Sequence, residues 1–343
     1  MKKRKSIIDL AQELDISPTT ISFILNGKGE EKRISKDLIQ KVLKHAKETG
    51  YQPNMIAKSL RTGKTKIIGM LVEDISDPFF SSIARFIEIN AYDKGYKILF
   101  SSTENKPEKA KTLIQLYKDR QVDGYIIAPP PGIEDEISGL MAENTPLVLF
   151  DRYFPTLATH NVVVDNYSGA RDVIHHFYKS GYRNIGFVTL DSAQTQMNDR
   201  LNGYNNAMEA HGLKPSTLKI AYNLDEAVIN EPIISFLKEH KQLDAVLFAT
   251  NYLAIAGLKS LSQLSLAIPQ AIGVASFDDN THFSLFSPSI TAVAQPTQAI
   301  AERVINKLMV LLADGNKSSE PETDIIPVKL IVRASSVKYK ALV

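Results

Sequence analysis

From Lys66 onward, short apolar runs alternate with segments of helical periodicity, and this alternation constrains the fold more than any other feature of the sequence. The runs are rich in β-branched residues, and the segments between them have the length of crossover helices. Strands that are buried on both faces and joined by helices form parallel sheets. The runs are "KIIGMLV", "YKILFSS", "VDGYIIAPP" and "PLVLFD", and, after "HNVVVDN", "NIGFVTL", "LKIAY", "DAVLFAT" and "IGVASFD".

The alternation occurs twice, so the sequence predicts two doubly wound α/β lobes. The tail supplies further elements for both: a strand in "ITAVAQP", a helix over about 297–313, and strand sequence in "IIPVKLIVR". In open parallel sheets, ligands bind beyond the carboxyl ends of the strands. The residues directly after each strand are therefore candidates for a binding site.

Three short helices are predicted before this region. Ser6 can cap a first helix of about two turns, and only three residues then lead to a second helix, with Ser17 as its cap and Pro18 at its first position. A third helix begins after Ser35 and ends near Gly50. So tight a connection between two helices is typical of a helix-turn-helix, although a purely structural helical corner has the same pattern.

The second helix, within "DISPTTISFILNG", has an unusual outer face. At 100° per residue, Phe23 lies opposite the isoleucines, on the same side as Thr19, Ser22 and Asn26. In a DNA-binding module the second helix enters the major groove, where an aromatic side chain can contact a thymine methyl. The outer face is therefore interpreted as base-contacting. The alternative is that Phe23 packs against the third helix or the chain that precedes it.

A segment that can form one more short helix follows, "YQPNMIAKSLRTGKTK". Asn54 can cap it and Gly63 can end it, but two turns do not hold as an isolated helix in water, so we expect it to order only against a partner. Leu60, flanked by Lys58 and Arg61, suits an apolar wedge that enters the minor groove. A contact with the same helix of a second subunit is an alternative that is compatible with the wedge.

Charge is distributed unevenly along the chain. Residues 1–66 carry 15 Lys and Arg against 7 Asp and Glu, a net of +8, whereas the remainder carries 25 against 31, a net of −6. A basic N-terminal module predicts a polyanionic partner for that module. The absence of cysteine excludes disulfides and thiolate chemistry. No apolar run has the length of a signal peptide core or a membrane span, so we expect a cytoplasmic protein with no membrane partner.

An enzyme finds little support in the sequence, which contains no phosphate-binding loop or nucleophile elbow. His175 and His176 are adjacent on a predicted helix and point apart, with no third metal ligand at a recognisable spacing. Asp278 and Asp279 end a strand and resemble a catalytic pair, but hydrogen bonding to the hydroxyls of a small molecule needs the same placement. We therefore expect no catalytic activity, no metal and no cofactor.

The sequence resembles the LacI/GalR (lactose-repressor) family of bacterial transcription regulators over nearly its whole length. The likeness is carried by "SIIDLAQELDISPTTISFILNG", by "GYQPNMIAKSLRTGKTKIIG" and by the two-lobed body. It implies a helix-turn-helix DNA-binding domain at 1–50, a hinge at 51–63, and an effector-binding and dimerisation core at 64–343, similar to periplasmic binding proteins. It also implies three strand crossovers, with an N-lobe at about 64–161 and 291–320 and a C-lobe at about 162–290 and 322–343.

The resemblance further implies roles for individual residues. The helix-turn-helix domain, called the head below, would contact bases through Pro18, Thr19 and Phe23. With the start of the hinge it would contact the DNA backbone through Ser17, Thr20, Asn26 and Tyr51. The hinge would contact DNA through Asn54, Ala57 and Leu60, with Arg61 on a phosphate. The cleft would bind an effector through Phe79, Phe80, Asp151, Arg152, Arg200, Asn251 and Asp278. Each cleft residue has the alternative role of an interlobe hydrogen bonder or cleft-rim residue.

The sequence departs from the usual family pattern in several places. Phe23 stands where Arg or His is common, which predicts a different operator half-site, and "GKGEEKR" lengthens the turn before the third helix. Asn251 is followed by Tyr252 instead of Asp. "QTQMNDR" lacks the additional arginine that some members have before Arg200, and this leaves the effector open.

The sequence thus predicts a sequence-specific DNA-binding repressor that a small molecule, a sugar or related metabolite, controls from the cleft. Its expected partners are a near-palindromic operator in double-stranded DNA and a second copy of the chain. The short tail has no leucine heptads, which favours a homodimer over a tetramer. The alternative functions are an activator or a co-repressor-dependent regulator of the same family, and a sugar sensor with a vestigial DNA head.

Overall fold

A computed structural model of the chain describes residues 5–51, 63–222, 226–314 and 320–338. The chain divides into two compact units, residues 1–65 and residues 66–343. The hinge contacts predicted at Asn54, Ala57, Leu60 and Arg61 lie outside the described residues. Within the described part, every helix is too short or too polar to span a membrane.

The first unit contains three helices around a small core: α1 (Ile7–Leu14), α2 (Pro18–Leu25) and α3 (Lys36–Glu48). Each begins at its predicted serine, whose hydroxyl accepts a hydrogen bond from a backbone N–H of the first turn. The core is apolar and fully or almost fully buried, with Leu10, Ile21, Ile24 and Val42 at its centre. The predicted helix-turn-helix is confirmed.

The second unit contains two six-stranded sheets. The N-lobe sheet consists of β1 (Ile67–Val72), β2 (Lys97–Ser102), β3 (Gly124–Ile127), β4 (Leu147–Phe150), β5 (His160–Val164) and β11 (Thr323–Ile326). Its order is β11–β5–β4–β3–β1–β2, and all of its pairs are parallel. The helices of this lobe are α4 (Pro78–Asp93), α5 (Pro107–Asp119), α6 (Glu134–Ala142) and α11 (Thr297–Asp314).

The C-lobe repeats this architecture. Its strands are β6 (Ile185–Leu190), β7 (Ser216–Ile220), β8 (Ala245–Phe248), β9 (Gly273–Phe277), β10 (Thr291–Ala294) and β12 (Lys329–Ile331), in the order β12–β10–β9–β8–β6–β7. Its helices are α7 (Asn166–Lys179), α8 (Thr195–Ala210), α9 (Glu226–Glu239) and α10 (Asn251–Gln263). The doubly wound prediction is confirmed, with one addition: β12 pairs antiparallel with β10 at the sheet edge.

Three crossovers join the lobes, at residue 165, at 295–296 and at 327–328. The predicted boundaries after residues 161, 290 and 320 fall a few residues too early. The reason is that each crossing strand pairs fully with its own sheet before the chain leaves it. Val164, for example, still pairs with Ile326 in the N-lobe sheet. One further correction concerns "LKIAY", because the strand there is β7 (Ser216–Ile220) and ends before that run does.

A glycine allows α7 and α8 to approach closely. A Cβ atom added at Gly203 would lie 2.2 Å from the carbonyl oxygen of Tyr167 and 3.2 Å from the Ala170 side chain. Gly203 lies on α8 one turn beyond Arg200, which is buried between the same two helices and the sheet. The close contact therefore fixes the position of this arginine at the cleft.

We expect Gly203→Ala to lower the free energy of unfolding by about 1–3 kcal/mol, because the added methyl overlaps a backbone carbonyl that cannot move without displacing α7. Gly139→Ala on α6 is a matched control, since a Cβ atom there meets nothing within 4 Å. It should raise the free energy of unfolding by about 0.5–1 kcal/mol. Urea unfolding of the full-length chain measures both, and equal effects would contradict the close approach.

Candidate functional site

A cleft lies between the lobes, beyond the carboxyl ends of the strands. It encloses an empty volume of about 420 Å³, part of which is open to solvent. The residues that line it come from the segments after β1 and β4 in the N-lobe and, in the C-lobe, from the last residue of β6 and the segments after β6, β8, β9 and β10. The structure brings together here all seven side chains predicted for the effector: Phe79, Phe80, Asp151, Arg152, Arg200, Asn251 and Asp278.

Asp151 and Asp278 occupy equivalent positions in the two lobes. Each directly follows a strand that ends in Phe, and each has a left-handed backbone conformation, with φ of +66° and +69°. Asp adopts this region more readily than most residues. Asp151 is 9% exposed, and the side chain of Asp278 is 12% exposed. Each lobe thus contributes one nearly buried carboxylate to the cleft.

Arg200 is the largest fully buried side chain of the cleft, with 2% exposure. Its Nε donates to Asn166 Oδ1 at 2.8 Å, and its Nη1 donates to the carbonyl oxygen of Ala249 at 2.6 Å. The guanidinium lies 3.7 Å from the ring centroid of Phe277 and 3.7 Å from the Asp278 carboxylate. These contacts hold the guanidinium plane against the C-lobe, so that it can act on a ligand without rearrangement.

Arg152 has a comparable place in the N-lobe. Its Nη1 donates to Glu73 Oε2 at 2.7 Å, and its Nε donates to the carbonyl oxygen of Pro129 at 3.0 Å. The same Nη1 lies 3.7 Å from Asp151 Oδ2. Its Nη2 is buried and has no hydrogen-bond partner within the described residues. A buried donor of this kind costs stability unless something accepts from it, so it is available to a ligand.

The cleft is rich in carboxylates. Glu73, Asp77, Asp151 and Asp278 face only two guanidinium groups among the residues that line it. Burial and the nearby Asp278 raise the pKa of Asp77 to about 6, although the backbone N–H of Phe79 and the Asn251 side chain partly oppose this. Burial also raises the pKa of Asp151 to about 6, despite Arg152 and Arg200. The cleft therefore holds more negative charge than its own cations balance.

Apolar and amide groups complete the lining. The rings of Phe79 and Phe80 form an edge-to-face pair with centroids 5.0 Å apart, and Leu190 and Met197 contribute further apolar surface. Gln295 donates through Nε2 to Asp278 Oδ1, while its own Oε1 is buried without a partner in the described residues. An aromatic surface beside buried hydrogen-bonding groups suits a ligand that has an apolar face and several hydroxyls.

Part of this lining was not predicted from the sequence. The residues without a predicted role in the cleft are Glu73, Asp77, Leu190, Gln196, Met197, Thr250, Tyr252 and Gln295. Asp77 and Thr250 have the sequence signature of helix caps, and both do cap helices. Because capping already accounts for them, the sequence gives no sign that they also line the cleft. Gln295 lies in a crossover, and its position depends on where β10 ends. For Gln196 and Met197, the signal available was their place one turn before Arg200 on the same helix.

The predicted base-contacting face of α2 is accessible. Ser17, Pro18, Thr19 and Asn26 are exposed, and Thr20 and Phe23 are half-buried. Phe23 is not among the described side chains that pack in the core of the head, so the structure does not support the alternative of a core role. Tyr51 does pack against that core, and its burial raises the pKa of its hydroxyl. The DNA contacts of these residues stay predictions.

The other clusters that the sequence suggested are held in structural contacts. His175 Nδ1 lies 2.7 Å from His211 Nε2, whereas His176 Nε2 lies 2.7 Å from Ser336 Oγ, so the two histidines do point apart. Asp279 forms a two-point ion pair with Arg333, whereas its neighbour Asp278 lines the cleft. The described residues contain no group of three or more side chains suited to hold a metal ion.

Comparison with known proteins identifies the family. A model of the periplasmic binding protein-like domain matches residues 174–336. The HTH-type transcriptional regulator RegA of Clostridium saccharobutylicum is 32% identical over 97% of this chain and 99% of its own length. The chain belongs to the LacI/GalR family of bacterial transcription regulators. As a LacI/GalR protein it is a DNA-binding transcriptional regulator that carries a helix-turn-helix head on a two-lobed core.

Two solved structures show the same architecture. A periplasmic binding protein/LacI transcriptional regulator from Alkaliphilus metalliredigens, complexed with D-xylulofuranose, has a TM-score of 0.73 and 27% identity, and the match covers 80% of this chain and 100% of that one. The lac repressor dimer bound to operator and an anti-inducer has a TM-score of 0.86 at 20% identity, with 98% and 100% covered. The second likeness shows that the LacI/GalR fold extends over nearly the whole chain.

We expect Asp151→Asn to stabilise the ligand-free core. The pKa of Asp151 is about 6 in the folded chain against 3.8 for the free side chain, so its charge opposes folding above pH 6 and this cost disappears below about pH 4. The variant should gain about 1–3 kcal/mol at pH 8, and the gain should shrink as the pH falls through 6. Urea unfolding at a series of pH values measures this.

Asp93→Asn, in the exposed last turn of α4, is the control and should change stability by less than about 0.5 kcal/mol at every pH. A loss of stability in Asp151→Asn at pH 8 would show that its arginine neighbours outweigh its burial.

Proposed function

We propose that the chain is a repressor whose operator binding is controlled by a neutral, sugar-like effector in the interlobe cleft. The observation that carries this proposal is the charge balance of the cleft, in which four carboxylates face only two guanidinium groups, and one of these, Arg152, already pairs with Glu73. Hydroxyl groups can donate to carboxylates at this site without adding charge. An anionic ligand would meet uncompensated repulsion in a buried space.

The paired donors and acceptors support a polyhydroxylated ligand in particular. Asn251 is 4% exposed, and its side chain lies near Asp77 across the cleft, where it lowers the pKa of that carboxyl. Phe79 and Phe80 offer a surface on which the apolar face of a sugar ring can lie. The D-xylulofuranose complex of the Alkaliphilus relative is an example of a sugar bound by this fold at 27% identity.

The DNA-binding roles follow from the head. We propose residues 1–50 as the DNA-binding domain and 51–63 as a hinge, with Pro18, Thr19 and Phe23 on bases and Leu60 as the minor-groove wedge. A homodimer would place two heads on a near-palindromic operator, because half-site symmetry matches protein symmetry. Such a regulator acts where the chromosome is, in the cytoplasm. We propose no catalytic activity, since the cleft carboxylates are suited to hydrogen bonding.

Effector and operator would be coupled through the lobes. Gln194 and Asn105 form a hydrogen bond between the lobes, with their side chains 3.1 Å apart, and Asn251 of the C-lobe lies near Asp77 of the N-lobe. A ligand that adds contacts to both lobes favours one relative arrangement of them, and the hinge would transmit that change to the heads.

A thermal-shift screen tests the effector class. Neutral pentoses and hexoses are compared with the matching sugar acids and sugar phosphates on the full-length chain. We expect a neutral sugar to raise the melting temperature, since a ligand at 100 times its Kd stabilises by about 2.7 kcal/mol. Asp278→Asn should abolish the shift and leave operator binding intact. A shift that only anionic sugars produce would contradict the proposed class.

The base-contacting role of Phe23 has its own test. Phe23→Arg should change the preferred half-site, because an arginine recognises guanine whereas the phenyl ring contacts a thymine methyl. Selection from a randomised duplex pool with each protein measures the preference. Phe23→Leu is the apolar control and should keep the wild-type preference with weaker binding. If Phe23→Arg unfolds the head, as judged by circular dichroism, the ring belongs to the core and the assignment is wrong.

A further inference from the structure

The long turn between α2 and α3 is an ordered element beside the outer face of α2. Its first residues bond back to the helix, with Lys28 N donating to the carbonyl oxygen of Phe23 at 2.9 Å. A second bond closes the turn on itself, from Lys32 N to the carbonyl oxygen of Lys28 at 3.0 Å. Gly29 is buried, and a Cβ atom there would lie 2.6 Å from Ile39 Cδ1. The turn is therefore fixed to the core of the head.

This arrangement places a cation next to the phenyl ring on the proposed base-contacting face. The Lys32 ammonium lies 5.5 Å from the ring centroid of Phe23, within the range of a cation–π contact. The lysine side chain is 45% exposed. Its carboxylate neighbour is Glu31, 3.4 Å away and 63% exposed, and an ion pair so open to water is weak. The ammonium is thus held in place by the ring but remains available to a stronger anion.

We propose that Lys32 binds a DNA phosphate beside the base that Phe23 contacts. This proposal rests on the proposed DNA-contacting face of α2. When Phe23 enters the major groove, an ammonium about one side chain away on the following turn reaches the edge of the groove, where the backbone runs. The phosphate then replaces Glu31 as the partner of Lys32.

Together, Phe23 and Lys32 also explain how an uncharged residue can occupy a base-contacting position on α2. An arginine there supplies an apolar stem and a cation in one side chain. In this chain the two functions are divided: Phe23 supplies the apolar contact, and Lys32 supplies the cation from the turn. The length of the turn is what allows the ammonium to reach the ring.

The test measures how operator affinity depends on salt. Full-length wild-type chain first selects a duplex from a randomised pool, and fluorescence anisotropy then follows binding to this duplex and to a random-sequence duplex between 50 and 300 mM KCl. Lys32→Gln should reduce the slope of log K against log salt by about 0.9 for each bound head. It should weaken both duplexes by a similar factor, and Lys32→Arg should restore the slope.

Two control variants isolate the contact. Lys44→Gln removes the same charge from α3, where the side chain is 80% exposed, and should leave the slope as in the wild type. Glu31→Gln should strengthen binding to both duplexes, because it removes the competing carboxylate. Circular dichroism should show the same melting of the head for Lys32→Gln as for wild type, which excludes a purely structural role.

An unchanged slope of log K against log salt in Lys32→Gln would overturn the proposal. An equal reduction of this slope in Lys44→Gln would overturn it as well. If Lys32→Gln lowers the affinity for the selected duplex alone and leaves the salt slope unchanged, the ammonium contacts a base edge instead of a phosphate. This result would also overturn the proposal. If the wild-type chain selects no duplex, the proposed DNA-contacting face itself fails, and this outcome is distinct from a failure of Lys32 alone.

Discussion

The burial of four carboxylates with only two guanidinium groups between the lobes is the constraint on which the core depends. Four carboxylates and two guanidinium groups come together from the segments that follow β1, β4, β6 and β9. Each guanidinium is held by carbonyl or amide oxygens of its own lobe, and burial raises the pKa values of Asp77 and Asp151 to about 6. Buried polar groups cost free energy unless they are paired. A ligand that donates several hydrogen bonds across the cleft relieves this cost and links the lobes.

The topology explains why a ligand in the cleft reduces the cost of buried polar groups in both lobes. The chain crosses between the sheets three times, and one crossover carries Gln295, whose amide bonds to Asp278. Asp77 of one lobe lies near Asn251 of the other. A ligand that binds among these groups changes the balance between arrangements of the lobes only to the extent that it contacts both. The same cleft can therefore serve as a binding site and as the origin of a switch.

Much of this was predictable from sequence, because strand ends are visible in the pattern and the topology brings them together. Asp151, Asn251 and Asp278 each directly follow an apolar run, and the structure places all of them in the cleft. Gln196 and Gln295 were missed, since their positions depend on where a helix begins and where a strand crosses. The strand β12 lies within the predicted run "IIPVKLIVR", but its antiparallel direction was not predicted, because the pattern of three residues does not show which way a strand pairs. In the head, the wheel of α2 placed Phe23 outside the core, but only the fold of the turn shows Lys32 beside it.

The proposed switch requires that one small molecule in the cleft and operator DNA on the heads are thermodynamically linked. Isothermal titration of a sugar that raises the melting temperature, into the chain with and without a selected operator duplex, gives one coupling factor. Anisotropy of the labelled duplex with and without the same sugar gives the other. Linkage requires the two factors to be equal and different from one, typically 5- to 150-fold. A sugar that binds with the same affinity in the presence and absence of operator would show that the cleft and the heads are not linked.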